Sequence, residues 1–268
     1  MKNHLHLLKQ PAVLVLLVCV ALLWEGCGSR GGRGQGQGQN QAPAAVTPEN
    51  MSAQQRMLLE YRQVEVASIS DAEEQLYGRK MYMSHRMRPI FATKFVGFAV
   101  TVLLKKQENH QGGAALTGML AAIDHGGPND VYVMKVQDGI NIAGMGGEMG
   151  TAMAARGFVG AVIDGGTRDV AYLRKIQFPV YALGIVPSTS VDHYVFGGSN
   201  IPIVCDGVPV SAGDIVAADE DGVVVVPRVD AEQVLKRAQQ LDFTEHTMYP
   251  YIAKYKSIEE AVKKFGRL

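Results

Sequence analysis

Hydrophobic and polar positions divide the 268-residue chain into three stretches of different character. The first, Met1 to Cys27, places Lys2 and Lys9 around an N-terminal segment followed by an unbroken apolar run from Pro11 to Leu23. That run is short for a membrane-spanning helix but fits the core of an export signal. Residues 28–50 are Gly, Gln, Pro and Ala with almost no large apolar side chain, including the repeat GQGQGQNQ. Such a segment buries too little surface to offset its chain entropy, so it is expected to be a flexible linker. Residues 51–268, about 220 in number, are patterned throughout and are enough for one well-buried domain.

Within that domain, Met57, Leu58, Tyr61 and Val64 recur at helical spacing. One or two helices are predicted between Ser52 and Tyr82, with Ser70 as the cap of the second. Val96 to Leu104 reads as a strand, Ala114 to Ile123 as a helix and Val131 to Val136 as another strand. Gly146 and Gly147 open a helix running through Ala154 and Ala155, and Phe158 to Asp164 is a continuous apolar run of the buried parallel type. Gly165 and Gly166 then make a turn, and Thr167 caps a helix that starts at Arg168 and carries Tyr172 and Leu173. Pro179 to Ile185 follows as a strand, then short β runs with turns at Asp206-Gly207 and Asp221-Gly222, and Ala231 to Phe265 is helical. The order describes an α/β fold with a β-rich second half and helices at both ends.

Charge narrows the function classes. Lys and Arg total 26 against 26 Asp and Glu. Neither a nucleic-acid footprint nor an overall field for acidic substrates is present. Cys19 lies in the leader, Cys205 stands alone in a strand-like run as a small buried hydrophobe, and Cys27 follows Gly26 at the end of the signal. Gly26-Cys27 resembles the cleavage box of a bacterial lipoprotein, although Trp24 and Glu25 are poor matches to it. Cys27 is therefore the expected lipidation site, with ordinary cleavage or a retained anchor as the alternatives. A lipid there would tether the domain outside the cytoplasm of a bacterium, on the periplasmic or cell-surface side, while simple cleavage would secrete it.

The candidate chemistry lies between Gly146 and Asp169, GGEMGTAMAARGFVGAVIDGGTRD. Glycines at a helix entrance let a ligand approach the backbone, and the first helical N–H groups lack partners within the helix, so a carboxylate or phosphate can bind there. Arg168 and Asp169 add a fixed cation and a metal-competent carboxylate, expected to point in different directions. Tight turns, a helix-dipole role for Glu148 and a capping role for Asp169 account for each residue taken singly.

Taken together and in order, these residues resemble a known family. The stretch from Gly147 through twenty residues to Arg168-Asp169, the flanking GAVIDGGTRD and FPVYALG, and CDGVPVSAGDIVAADEDGVVVVP from Cys205 to Pro227 are similar to 4-hydroxy-4-methyl-2-oxoglutarate aldolases and the regulator of ribonuclease E activity A, the RraA-like proteins. The likeness runs from Thr101 to the C-terminus. It implies a swivelling β/β/α domain, usually assembled as a homotrimer, and a divalent-metal aldolase and oxaloacetate decarboxylase acting on small 2-oxo acids. By the same resemblance Asp169 holds Mg²⁺ or Mn²⁺ with waters completing the shell. Arg168 binds the substrate's oxo oxygen and stabilises the enolate, and Gly146, Gly147, Glu148 and Met149 bind its carboxylate through backbone N–H groups. One position departs from the pattern: Tyr172 stands where aldolase members carry an acidic residue. Loss of a carboxylate that orients metal-bound water lowers affinity or activity by roughly 10- to 100-fold.

Two other function classes remain open in the sequence. A non-catalytic regulator would share this scaffold. A dinucleotide-binding unit is imitated by the strand 131–136, Gly144-Met145-Gly146 and Asp164, although Met149 takes the place of the third glycine. Asp192-His193 with Ser188 and Ser190 has the residue types of a hydrolase without a nucleophile elbow. His110 and His125 lack metal-ligand partners at useful spacing.

Overall fold

The computed structural model describes residues 51–91 and 93–267. The export signal, Cys27 and the linker lie outside the described residues. Two helices come first, α1 (Ala53–Gln63) and α2 (Val66–Tyr77), then a two-residue strand β1 (Arg88–Pro89) and the long β2 (Phe95–Lys106). Alternation follows through α3 (Thr117–His125), β3 (Asp130–Val136), β4 (Ala143–Met145), α4 (Gly147–Arg156), β5 (Gly160–Thr167), α5 (Val170–Lys175) and β6 (Val180–Ile185). Short strands β7 (Tyr194–Ser199), β8 (Ile203–Cys205), β9 (Val208–Val210), β10 (Ile215–Asp219) and β11 (Gly222–Val226) lead to α6 (Ala231–Tyr255) and α7 (Ile258–Phe265).

The main sheet has the order β1-β6-β5-β3-β2-β10-β11, with β4 paired beside the end of β5 and β7 beside the end of β2. Strands β2, β3, β5 and β6 are parallel neighbours, whereas β10, β11 and β7 join antiparallel. Helices flank this mixed sheet at both ends of the domain, the swivelling β/β/α arrangement expected from the sequence. In β3 the period-2 alternation sorts side chains cleanly. Tyr132, Met134 and Val136 pack under α3 and α4, while Val131 and Val133 face the β8–β9 hairpin. A third cluster joins Leu58, Tyr61 and Ile69 to Val224, Val226 and Val234. Burying each such aliphatic side chain contributes about 1.5–3 kcal/mol relative to exposure.

The structure moves several expected boundaries. The strand placed at Phe158 begins at Gly160, because Phe158 belongs to the end of α4: its N–H donates to Met153 O at 3.0 Å after left-handed Gly157. Gly165 and Gly166 are strand residues and not a turn. A Cβ on Gly166 would lie 2.9 Å from Ile142 O, so glycine is what lets β4 close against β5. Thr167 is buried at the end of β5 and caps nothing; its Oγ1 donates to Met145 O at 3.3 Å. Ser70 lies inside α2, which starts at Val66, where the Asp219 carboxylate accepts the Val66 N–H from across the fold. The helix expected from Ala114 opens as a 3-10 turn at Gly112–Leu116 before α3. Asp206-Gly207 makes the tight hairpin foreseen, both residues with positive φ. The second hairpin turns at Glu220-Asp221, leaving Gly222 as the first residue of β11. The C-terminal helical stretch breaks at left-handed Lys256, and Ser257 caps α7.

A buried charge cluster fastens α2 to the start of α6. Glu73, fully buried, accepts from Arg79 Nε at 2.7 Å, while Arg79 Nη2 reaches Asp230 at 2.6 Å. Burial, opposed by the Arg79 bond, holds the Glu73 carboxyl above its ordinary value of 4.5. A raised folded-state pKa means that the folded protein holds the proton more tightly than the unfolded chain, so stability falls as pH rises through that range. Melting temperature measured from pH 4.5 upward is expected to fall more steeply for the unaltered protein than for Glu73→Gln.

Candidate functional site

Strand β5 ends between two neighbours, and that pinning sets the site. Arg168 N–H donates to Met145 O at 3.1 Å on one side, and Val186 N–H donates to Thr167 O at 3.0 Å on the other. Asp169 follows in the left-handed region, φ 58° and ψ 32°, and occupies the N-cap position of α5. An aspartate tolerates that conformation better than most side chains.

The turn aims the Asp169 carboxylate at the start of α4. Gly147 N–H donates to Asp169 Oδ2 at 2.8 Å, satisfying one of the helix's orphan donors and placing an anion at its positive end. The approach is close enough that a Cβ on Gly146 would lie 2.5 Å from that oxygen. Glycine at 146 is thus a steric requirement here, its φ being an ordinary extended one. Glu148 and Met149 supply the next two N–H groups at the cavity wall, with Glu148 exposed and the Met149 side chain buried in the core.

Arg168 and Asp169 both precede α5, correcting the expectation that they form its first turn. They are also less independent than foreseen, since Arg168 Nε lies 3.8 Å from Asp169 Oδ2. Both side chains are about half exposed, 45% and 48%, so this contact contributes little to stability. The guanidinium is held instead by Ser188, whose carbonyl accepts from Arg168 Nη1 at 3.1 Å. Ser188 Oγ accepts from Ala143 N–H at 2.9 Å and donates to Asn141 O at 3.0 Å, locking the loop before β4 to the loop after β6. The sequence offers Ser188 only as a residue type of a hydrolase set, and its place beside Arg168 comes from the pairing of distant loops.

The cavity at this mouth measures about 290 Å³. Gly144 to Met149 and Arg168-Asp169 form one side, Leu116, Met119 and Leu120 another, and Thr189 to Val191 a third. All four residues of the expected carboxylate loop therefore meet Arg168 and Asp169 in one space.

The other candidates separate. Asp164 is buried outside the cavity, and its Oδ2 accepts from Lys135 Nζ at 2.6 Å and Asp206 N–H at 2.7 Å, so it serves the packing of the β8–β9 hairpin. His193 Nδ1 meets Glu108 Oε2 at 2.8 Å, while Ser188 is engaged with the backbone; no hydrolase set forms. Cys205 is fully buried, and burial pushes its thiol well above the ordinary range, leaving an unreactive core residue. Among the described residues no group of three or more His, Cys, Asp and Glu gathers to hold a metal. Tyr172 lies near Asp169, its Oη 3.4 Å from Thr151 Oγ1.

This combination of a mixed swivelling sheet and a glycine-started helix facing an Arg-Asp pair defines an RraA-like domain. The family model described as Aldolase/RraA matches residues 66–225, and the chain belongs to that family. It is 29% identical over 185 residues to a Halalkalibacterium halodurans protein that carries the provisional name 4-hydroxy-4-methyl-2-oxoglutarate aldolase, covering 68% of this chain and 82% of that one. A Burkholderia multivorans protein of the same provisional name is 32% identical over 134 residues, 50% of this chain and 76% of that one. Among solved structures, an uncharacterized Pseudomonas syringae protein aligns with a TM-score of 0.68 at 26% identity, covering 77% of this chain and 96% of that one. RraAS2 of Streptomyces coelicolor, described as an unusual member of the RNase ES inhibitor RraA family, shares the fold with a TM-score of 0.64 at 23% identity over 72% and 94% of the two chains.

The left-handed turn generates a stability prediction. Asp169→Ala is expected to destabilise by about 1 kcal/mol or more, because alanine keeps the Cβ clash and loses the bond to Gly147. Asp169→Gly recovers the conformational part and Asp169→Asn keeps most of both. Thermal or urea denaturation of the three variants should rank them Ala, Gly, Asn in rising stability.

Proposed function

We propose that this protein is a divalent-metal-dependent lyase that cleaves small 2-oxo acids through a pyruvate enolate, as an aldolase or oxaloacetate decarboxylase, acting as a homotrimer. The observation that carries the reading is the convergence of a cation, a half-exposed carboxylate and free helix N–H groups on one cavity. In both reactions a bond to the carbon beside the 2-oxo group breaks and leaves an enolate, so positive charge preorganised at the oxo oxygen lowers the barrier. Arg168, steadied by Ser188 O, supplies a fixed charge there. The N–H groups of Glu148 and Met149 take the substrate's carboxylate at the positive end of α4.

The residues fit the metal. Asp169 Oδ1 accepts no hydrogen bond from the described residues, and its side chain is 48% exposed, leaving a hard oxygen donor open to the cavity. Mg²⁺ or Mn²⁺ keeps most of its waters and needs few protein carboxylates, so one aspartate suffices. When bound, the ion supplies Lewis-acid charge to the reaction. Gly147 N–H meanwhile fixes the carboxylate's direction through Oδ2.

Purified protein is expected to release pyruvate from oxaloacetate in the presence of Mg²⁺ or Mn²⁺ and to stop on chelation. Arg168→Ala and Asp169→Asn are each expected to lose roughly 100-fold or more in kcat. A folded protein that neither releases pyruvate nor binds it would instead be a non-catalytic member of the family. We also propose that the N-terminal segment exports the domain and that lipidated Cys27 tethers it to a membrane. Fractionation checks this: Cys27→Ser is expected to move the protein from the membrane to the soluble fraction, whereas a secreted protein would be soluble in both forms.

A further inference from the structure

We propose that Tyr172 is a positioning residue for the Asp169 carboxylate, its ring wedged between the Asp169 turn and the first turn of α4; the inference rests on the metal and lyase reading above. Tyr172 is not among the residues that line the 290 Å³ cavity. It stands to one side of Asp169, in a more open groove of about 520 Å³ shared with Thr151 and Val170. Its effect on a ligand in the cavity therefore passes through Asp169 and Gly147, which border both spaces.

Contacts within a single protomer, the same in a monomer and in a trimer, close a ring of residues around the Gly147–Asp169 bond. Tyr172 N–H donates to Asp169 O at 2.9 Å, fixing the tyrosine to the turn that carries the carboxylate. One helical turn beyond Gly147, Thr151 Oγ1 donates to Gly147 O at 2.7 Å and lies 3.4 Å from Tyr172 Oη. The single hydroxyl proton of Thr151 goes to Gly147 O, so Tyr172 is the donor in the longer pair. The ring fills the remaining space: a Cβ at Gly147 would lie 3.1 Å from Tyr172 Cδ1 and 3.4 Å from Asp169 Cβ. Gly150, on the same face of α4, makes equivalent room for Leu173. Glycines at both positions let α5 seat directly on α4, and Tyr172 takes up the contact at the end where the site lies.

The bond from Gly147 N–H fixes one carboxylate oxygen, yet a side chain that is 48% exposed can still pivot about it. A flat ring against Gly147 and beside the Asp169 turn limits that pivot, and so holds Oδ1 open to the cavity. Carboxylates locked by their neighbours bind metal better than mobile ones, and losing such a neighbour costs roughly 10- to 100-fold in affinity or activity. The ring does this without charge, so its contribution is geometric and leaves the field at the cation unchanged.

Mn²⁺ affinity of the purified protein, read by electron paramagnetic resonance well below each variant's melting temperature, tests this without turnover. Tyr172→Ala is expected to weaken Mn²⁺ binding about tenfold. Tyr172→Phe keeps the ring, loses only the long hydroxyl pair and is expected to bind as the unaltered protein does. Gly147→Ala reaches the same contact from the other side, because its methyl displaces the ring, and is expected to weaken binding comparably. Combining it with Tyr172→Ala should cost no more than the worse single change, since both remove one contact. A tyrosine that serves the fold alone would lower the melting temperature and leave the Mn²⁺ affinity of the folded protein unaltered; that result overturns the proposal. Equal weakening by both Tyr172 variants moves the role to the hydroxyl and overturns it too, as do multiplied losses in the combined variant. The expected Mn²⁺ series with no pyruvate released from oxaloacetate supports the positioning role and removes the lyase reading. An unaltered protein that binds no Mn²⁺ overturns both.

Discussion

The hydrogen bond from Gly147 N–H to Asp169 Oδ2, 2.8 Å long, joins the two halves of the site and explains the residues around it. For the carboxylate to reach the first turn of α4, Asp169 must leave β5 in a left-handed turn, and Gly146 must lack a side chain. For β5 to end at the right height, it must be pinned by Met145 on one side and Val186 on the other. Gly166 within the strand must also admit the backbone of Ile142. Each feature is unfavourable or merely permissive alone, and the shared bond makes them mutually supportive.

The same economy governs the carboxylates elsewhere. Asp219 and Asp242 accept the N–H groups of Val66 and Glu65, so α2 begins where two distant acids are waiting. Asp164 bridges Lys135 and the backbone of Asp206, holding the β8–β9 hairpin against the sheet. Asp214 accepts from Ser211 and Arg228, tying the approach to β10 to the chain after β11. Buried or half-buried acids that spend their oxygens on backbone donors act as fasteners. Asp169 differs in being half exposed at the mouth of a cavity, with Oδ2 held by the Gly147 N–H and Oδ1 accepting nothing from the described residues.

Much of this was legible in the amino-acid order. Asp206-Gly207 between two short β runs specifies a tight hairpin, and the alternation in 131–136 specifies which side chains face which layer. The stripe of Leu58, Tyr61 and Val64 is buried as its spacing requires. The errors share a cause. Strand β5 starts after Phe158 and runs through Thr167 because a strand's ends are set by what lies beside it: a helix cap in one case and flanking strands in the other. Ser70 looked like a cap because serine often is one, yet the donors at the start of α2 are satisfied by acids more than 150 positions away.

The sequence by itself determined the fold class, the family and which residues gather at the cavity, because apolar periodicity, turn chemistry and the ordered Gly-Arg-Asp motif are local or nearly local signals. Tertiary structure decided what those residues can do. It fixed the left-handed pose of Asp169, the anchoring of Arg168 by Ser188, the removal of Asp164 and His193 from ligand duty, and the aliphatic wall that α3 lends to the cavity. These depend on contacts between segments dozens of positions apart, and the energy of such a contact exists only once the intervening chain has folded.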